Sequence, residues 1–138
     1  MICTFIGHRN APFSVKESLK AEIVALIEHG TSHFYVGNNG NFDYLAQSVM
    51  IELANEFSHI KFDIVLSYID EKSLVERNDL TVFPEELAGV PKKFAICKRN
   101  AYLLKKSDII ISYVRDTTSN SYKFIEKALK KGCKIINL

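Results

Sequence analysis

Apolar positions along this chain recur in two rhythms that take turns. Ile2 to Ile6 is short, apolar and β-branched at intervals, the pattern of a buried strand. After Gly7-His8-Arg9 and the turn Asn10-Ala11-Pro12, the apolar residues Val15, Leu19, Ile23, Leu26 and Ile27 return at helical spacing. Ser14-Val15-Lys16-Glu17 has the form of a capping box, and Gly30 ends that helix as a left-handed cap. A second strand is expected at His33 to Val36. A helix follows in which Leu45, Val49 and Leu53 form a stripe, with Ala46, Met50, Ala54 and Phe57 beside it. Ile60 to Tyr68 reads as a third strand.

From Ile69 to Val90 the periodicity lapses, which marks 70–91 as a long loop or lid insertion, since connections of that length are usually functional. Lys92 to Lys106 is helical again, with Phe94, Cys97, Ala101 and Leu104 on one face. Asp108 to Val114 is a nearly uninterrupted apolar strand. Tyr122 to Lys131 is a helix turning Ile125, Ala128 and Leu129 inward, capped by Gly132, and Lys134 to Leu138 is the last strand. Strands alternating with long helices need crossover connections, hence a parallel sheet. The expected fold is α/β: one Rossmann-like three-layer sandwich over residues 1–138, built on a five-stranded, mainly parallel sheet.

Composition narrows the function classes. Of 138 residues, 47% are hydrophobic and 25% charged, which suits a globular domain with a real core. The net charge of +2 supplies few phosphate contacts, and the basic residues concentrate on one helix, so a nucleic-acid partner is not expected. No apolar run approaches the roughly 20 residues that span a bilayer, and the N-terminus lacks a signal-peptide layout, so no membrane partner is expected. Cys3, Cys97 and Cys133 are scattered without a CxxC pair. They read as small buried hydrophobes carrying free thiols in a reducing cytoplasm.

In open parallel sheets, ligands bind beyond the carboxyl ends of the strands where the strand order reverses. Gly7-His8-Arg9, Gly37-Asn38-Asn39-Gly40-Asn41 and Arg115 to Ser121 are the loops that meet this rule. The glycine-asparagine turn leaves backbone N–H groups at a helix start, a site suited to phosphate. Arg9 offers a charged fork for phosphate or carboxylate; held for structure instead, it would need a carboxylate, and Asp43 is the candidate. Thr117, Thr118, Ser119 and Ser121 offer hydroxyls. His8 reads either as an acid or base or as a hydrogen-bonding turn residue. Asp43 reads either as a dipole partner or as the holder of a ribose hydroxyl. Lys98 and Arg99 fit a solvated helix face. His29, His33 and His59 lack metal spacing, so no metal is expected. GxSxG, HExxH, GK[ST] and GxGxxG patterns are all missing.

Several stretches together resemble the YpsA-like branch of the SLOG superfamily. They are Cys3-Thr4-Phe5-Ile6-Gly7-His8-Arg9, Phe34-Tyr35-Val36-Gly37-Asn38-Asn39-Gly40-Asn41-Phe42-Asp43, Phe83-Pro84-Glu85-Glu86-Leu87, Val90-Pro91-Lys92-Lys93-Phe94-Ala95-Ile96, Lys98-Arg99-Asn100 and Ser107-Asp108. The resemblance runs to the closing Ile135-Ile136-Asn137-Leu138. It implies a Rossmann-like domain that senses or processes a nucleotide-derived small molecule, with relatives among the LOG phosphoribohydrolases and the DprA proteins. Gly7, His8, Arg9, Gly37, Asn38, Asn39, Gly40, Asn41, Asp43, Arg99, Asn100, Ser119 and Ser121 are the expected ligand-binding residues. Ser119-Asn120-Ser121 stands where the family has Gly-Gly-Thr or Gly-Gly-Ala, and Glu126 does not match the LOG catalytic glutamate. The leading expectation is therefore a nucleotide or nucleotide-sugar binding or sensing domain, with no cofactor beyond a bound nucleotide and room for a homo-oligomer. LOG-like N-glycoside hydrolysis using Asp43 or His8, and DprA-like nucleic-acid binding, are the alternatives.

Overall fold

The computed structural model describes residues 1–68 and 80–138. The strands are β1 (Ile2–Gly7), β2 (His33–Val36), β3 (Lys61–Val65), β4 (Thr81–Val82), β5 (Ile109–Tyr113) and β6 (Lys134–Asn137). The helices are α1 (Val15–Glu28), α2 (Asn41–Glu56), α3 (Lys92–Lys106) and α4 (Asn120–Lys131), with one 3-10 turn at Glu85–Leu87. Among the described residues all pairings are parallel, and the sheet has six strands in the order β4-β3-β2-β1-β5-β6. The five expected strands therefore gain a sixth. β4 holds only Thr81 and Val82, paired with Ile64 and Val65, and two residues are too few to show an alternating pattern. Residues 80–91 of the expected loop or lid thus include an edge strand and a 3-10 turn, and residues 70–79 lie outside the described residues.

Alternation along the central strands splits the core in two. Cys3 and Phe5 of β1, with Ile109 and Ile111 of β5, join the cluster that holds Leu19 and Ile23 of α1 and Val49 and Leu53 of α2. Ile6 and Ile110 point the other way, to Phe124, Ile125 and Ala128 of α4. Helices flank both faces, as parallel crossovers require. Among the described residues, no helix is long and apolar enough to cross a membrane.

Several local expectations change. Ser14 makes no side-chain cap, because the chain is already coiled there: Val15 and Lys16 donate to the carbonyls of Pro12 and Phe13. Leu129 is 59% exposed, since α4 covers β6, the last strand in the order, and the sheet offers nothing further to pack on. The α3 face is also different. Ala95, Arg99 and Leu103 are its buried residues, whereas Phe94, Cys97 and Ala101 are exposed. Cys3 and Cys133 are buried, and burial pushes the Cys3 thiol far up.

Candidate functional site

The strand order reverses about β1, whose neighbours are β2 and β5, so a crevice is expected at its carboxyl end. A cleft of about 170 Å³ lies there. Phe5, Ile6, Gly7, His8 and Arg9 come to it from β1, Asn39 and Asp43 from the start of α2, Ile96, Arg99 and Asn100 from α3, and Ser121 from α4. The three loops are tied together. The Asn41 amide donates to the Arg9 carbonyl at 2.9 Å, and the amides of Arg115 and Asp116 donate to His8 Nε2 at 2.7 and 3.2 Å.

Arg99 anchors the site from α3. Its guanidinium donates to Asn39 Oδ1 at 2.9 Å and Asp43 Oδ2 at 3.3 Å, while Nε and Nη2 both donate to Asn100 Oδ1. The pair is buried, with side-chain exposures of 4% for Arg99 and 6% for Asp43. Burial pushes the Asp43 carboxyl up, against the opposing pull of Arg99 and the Asn39 amide, which donates to the same oxygen at 2.9 Å. Arg99 is therefore not on a solvated face, although its neighbour Lys98 is. Asp43, for its part, is spent on holding the turn through Oδ2. Ser67 Oγ completes the knot by donating to Asn39 Oδ1 at 3.0 Å.

Arg9 is different. It is exposed, it lines the cleft, and its side chain makes no hydrogen bond or ion pair among the described residues. The ion pair with Asp43 is made by Arg99 instead, and Arg9 adds only a weaker attraction to that carboxylate. The amides of Phe42 and Asp43, in the first turn of α2, also have no acceptor among the described residues. A permanent cation and the start of α2, through Asn39 and Asp43, thus border one cleft.

The chain is 24% identical over 137 residues to UPF0398 protein BH1768 of Halalkalibacterium halodurans, a span covering 91% of this chain and 72% of that relative. The two proteins are distant homologues. No family model matches the chain.

The remaining expected ligand-binding residues fall outside the lining. Gly37 is buried beneath it, where a Cβ would collide with the Arg99 guanidinium and the Asp43 carboxylate, so only glycine fits. Gly40 has a φ of 90°, and a Cβ there would lie 2.7 Å from Arg9 Cα. Asn38 Oδ1 is buried without a hydrogen-bond partner among the described residues. Asn41 is exposed and reaches the Ala11 carbonyl at 3.5 Å. Ser119 caps α4, accepting from the Tyr122 amide at 3.2 Å, which leaves Ser121 as the serine that reaches the cleft. Phe5, Ile6 and Ile96 were not among the expected residues. The sequence reads Phe5 and Ile6 as core of a buried strand and gives Ile96 no role, and only the sheet edge reveals that all three border a cleft.

This geometry makes two outcomes measurable. Gly37→Ala must displace the buried pair, and overpacking of this kind costs about 1–3 kcal/mol. Urea unfolding should register that loss, and an unchanged midpoint would contradict the close packing. His8 accepts two backbone N–H groups through one ring nitrogen, which must therefore be unprotonated. His8→Ala should speed hydrogen exchange at Arg115 and Asp116, and unaltered protection there would mean that His8 does not hold the loop.

Proposed function

We propose that this chain is a YpsA-like member of the SLOG superfamily and that its cleft binds a nucleotide-derived small molecule by its phosphate. The observation that carries this reading is Arg9, an exposed cleft-lining cation that makes no hydrogen bond or ion pair among the described residues. The unpaired amides at the start of α2 add donors on the positive end of a helix dipole. Phe5, Ile6 and Ile96 give an apolar border for the uncharged part of the ligand. The UPF0398 name of the distant relative is that of the YpsA-like group, which agrees with the motif resemblance.

Binding suits the site better than hydrolysis. His8 Nε2 is engaged by two amides and Asp43 Oδ2 by Arg99 and Asn39, so both groups hold loops in place, a role that supports binding over acid or base work. Calorimetric titration with nucleoside monophosphates, followed by chromatography of the mixture, separates the readings. Saturable heat with the nucleotide recovered intact is expected. Release of free base would replace this reading with N-glycoside hydrolysis.

A further inference from the structure

Charge is segregated between the two helix layers. α3 carries Lys92, Lys93, Lys98, Lys105 and Lys106 and no carboxylate along its length. α4, packed beside it, carries Lys123, Lys127, Lys130 and Lys131 against the single acid Glu126. All nine lysines are exposed. Because the whole chain is only +2, everything outside these two helices is net acidic, and the total hides the separation.

Most of these cations are also uncommitted. Lys105 pairs with Glu86 at 3.0 Å, and Lys131 caps the end of α3 through the carbonyls of Leu104, Lys105 and Ser107. The other seven have no carboxylate partner among the described residues. The opposite layer contrasts, since Lys16 and Lys20 of α1 both pair with Glu52 of α2 at 2.9 and 3.3 Å. Lys123 and Lys127, one helical turn apart, repel each other, and Glu126 is the one carboxylate on α4 that offsets this row.

We propose that the joint outer face of α3 and α4 is a docking surface for single-stranded nucleic acid, separate from the cleft. The face is about 20 Å long, from the rise of a helix the length of α3, and two packed helices wide, enough for several consecutive phosphates. Aromatic rings are set among the cations. Phe94 is half exposed with Lys93 Nζ 5.0 Å from its ring, and Lys106 Nζ lies 5.7 Å from that of Tyr102. Rings beside lysines offer stacking planes next to phosphate contacts, the combination that binds single strands without reading sequence. An anionic membrane fits less well. Stable adsorption needs a continuous apolar face in addition to charge, and the large apolar side chains exposed on the described parts of these helices are Phe94 and Leu129 alone, one on each.

Fluorescence anisotropy of a labelled oligothymidylate, read across a salt series, tests this. Binding is expected whose logarithm falls linearly with the logarithm of salt concentration. Combining Lys98→Glu, Lys123→Glu, Lys127→Glu and Lys130→Glu should weaken it at least tenfold. A matching set of lysine-to-glutamine changes, which adds no negative charge, should flatten the salt slope by about 3, four contacts at roughly 0.7 each. Circular dichroism establishes that the variants are folded, and Arg9→Ala should bind the oligonucleotide like the parent, which keeps this result independent of the cleft. No binding at low salt, unchanged binding by both lysine sets, or equal competition by anionic vesicles or polyglutamate would overturn the proposal.

Discussion

Arg99→Ala should be the most damaging single substitution in the site, lowering stability by about 3–5 kcal/mol. The reason is the charge stranded in the interior more than the hydrogen bonds removed. Asp43 would remain buried with its neutralising partner gone, and Asn39 and Asn100 would lose their shared donor. In a domain of this size the melting temperature should fall by roughly 10–17 °C. Asp43→Ala should cost a similar amount, and the double substitution much less than the sum, because each removes the same pair. Arg99→Lys should restore little, since an ammonium cannot span Asn39, Asp43 and Asn100 as the guanidinium fork does. Additive single losses in urea unfolding would show that the pair does not act as a unit.

Arg9→Ala should do the opposite. Its side chain makes no hydrogen bond or ion pair among the described residues and adds only a minor attraction to Asp43, so the melting temperature should move little. Ligand affinity should fall about ten- to hundredfold, the worth of a charge-assisted contact of about 1.5–3 kcal/mol. Two arginines that border one cleft are thereby separated by experiment, with Arg99 carrying stability and Arg9 carrying affinity. A variant that melts lower yet binds as the parent does would end the anion-site reading.

The alternation of strands and helices was legible because it is written in apolar spacing, and parallel pairing followed from the length of the crossovers. The convergence of the Gly7–Arg9 and Gly37–Asn41 loops followed from the same topology, and the Asn41-to-Arg9 backbone bond joins them. Periodicity misled at α3, where it counted Phe94, Cys97 and Ala101 with Leu104 as the inner face; Leu104 packs against the core, but the other three are exposed. The helix is instead turned to bury Arg99, and a buried cation leaves no apolar signal. Only the partner 56 residues earlier, Asp43, explains it. β4 escaped because two residues carry no rhythm, and Leu129 because a helix over an edge strand has less to cover than its stripe suggests. The roles of Gly37 and Gly40 were half visible. The sequence suggests a turn, but the near contacts of Gly37 with Arg99 and of Gly40 with Arg9 belong to the folded chain alone.

Native mass spectrometry of the freshly purified protein and of Arg9→Ala bears most directly on the central claim. The parent should carry an added mass equal to a phosphate-bearing nucleotide or nucleotide sugar, released on mild activation, and the variant should have lost most of it. A parent that flies as the bare chain, and gives no saturable heat with any nucleoside mono- or diphosphate, would contradict the account.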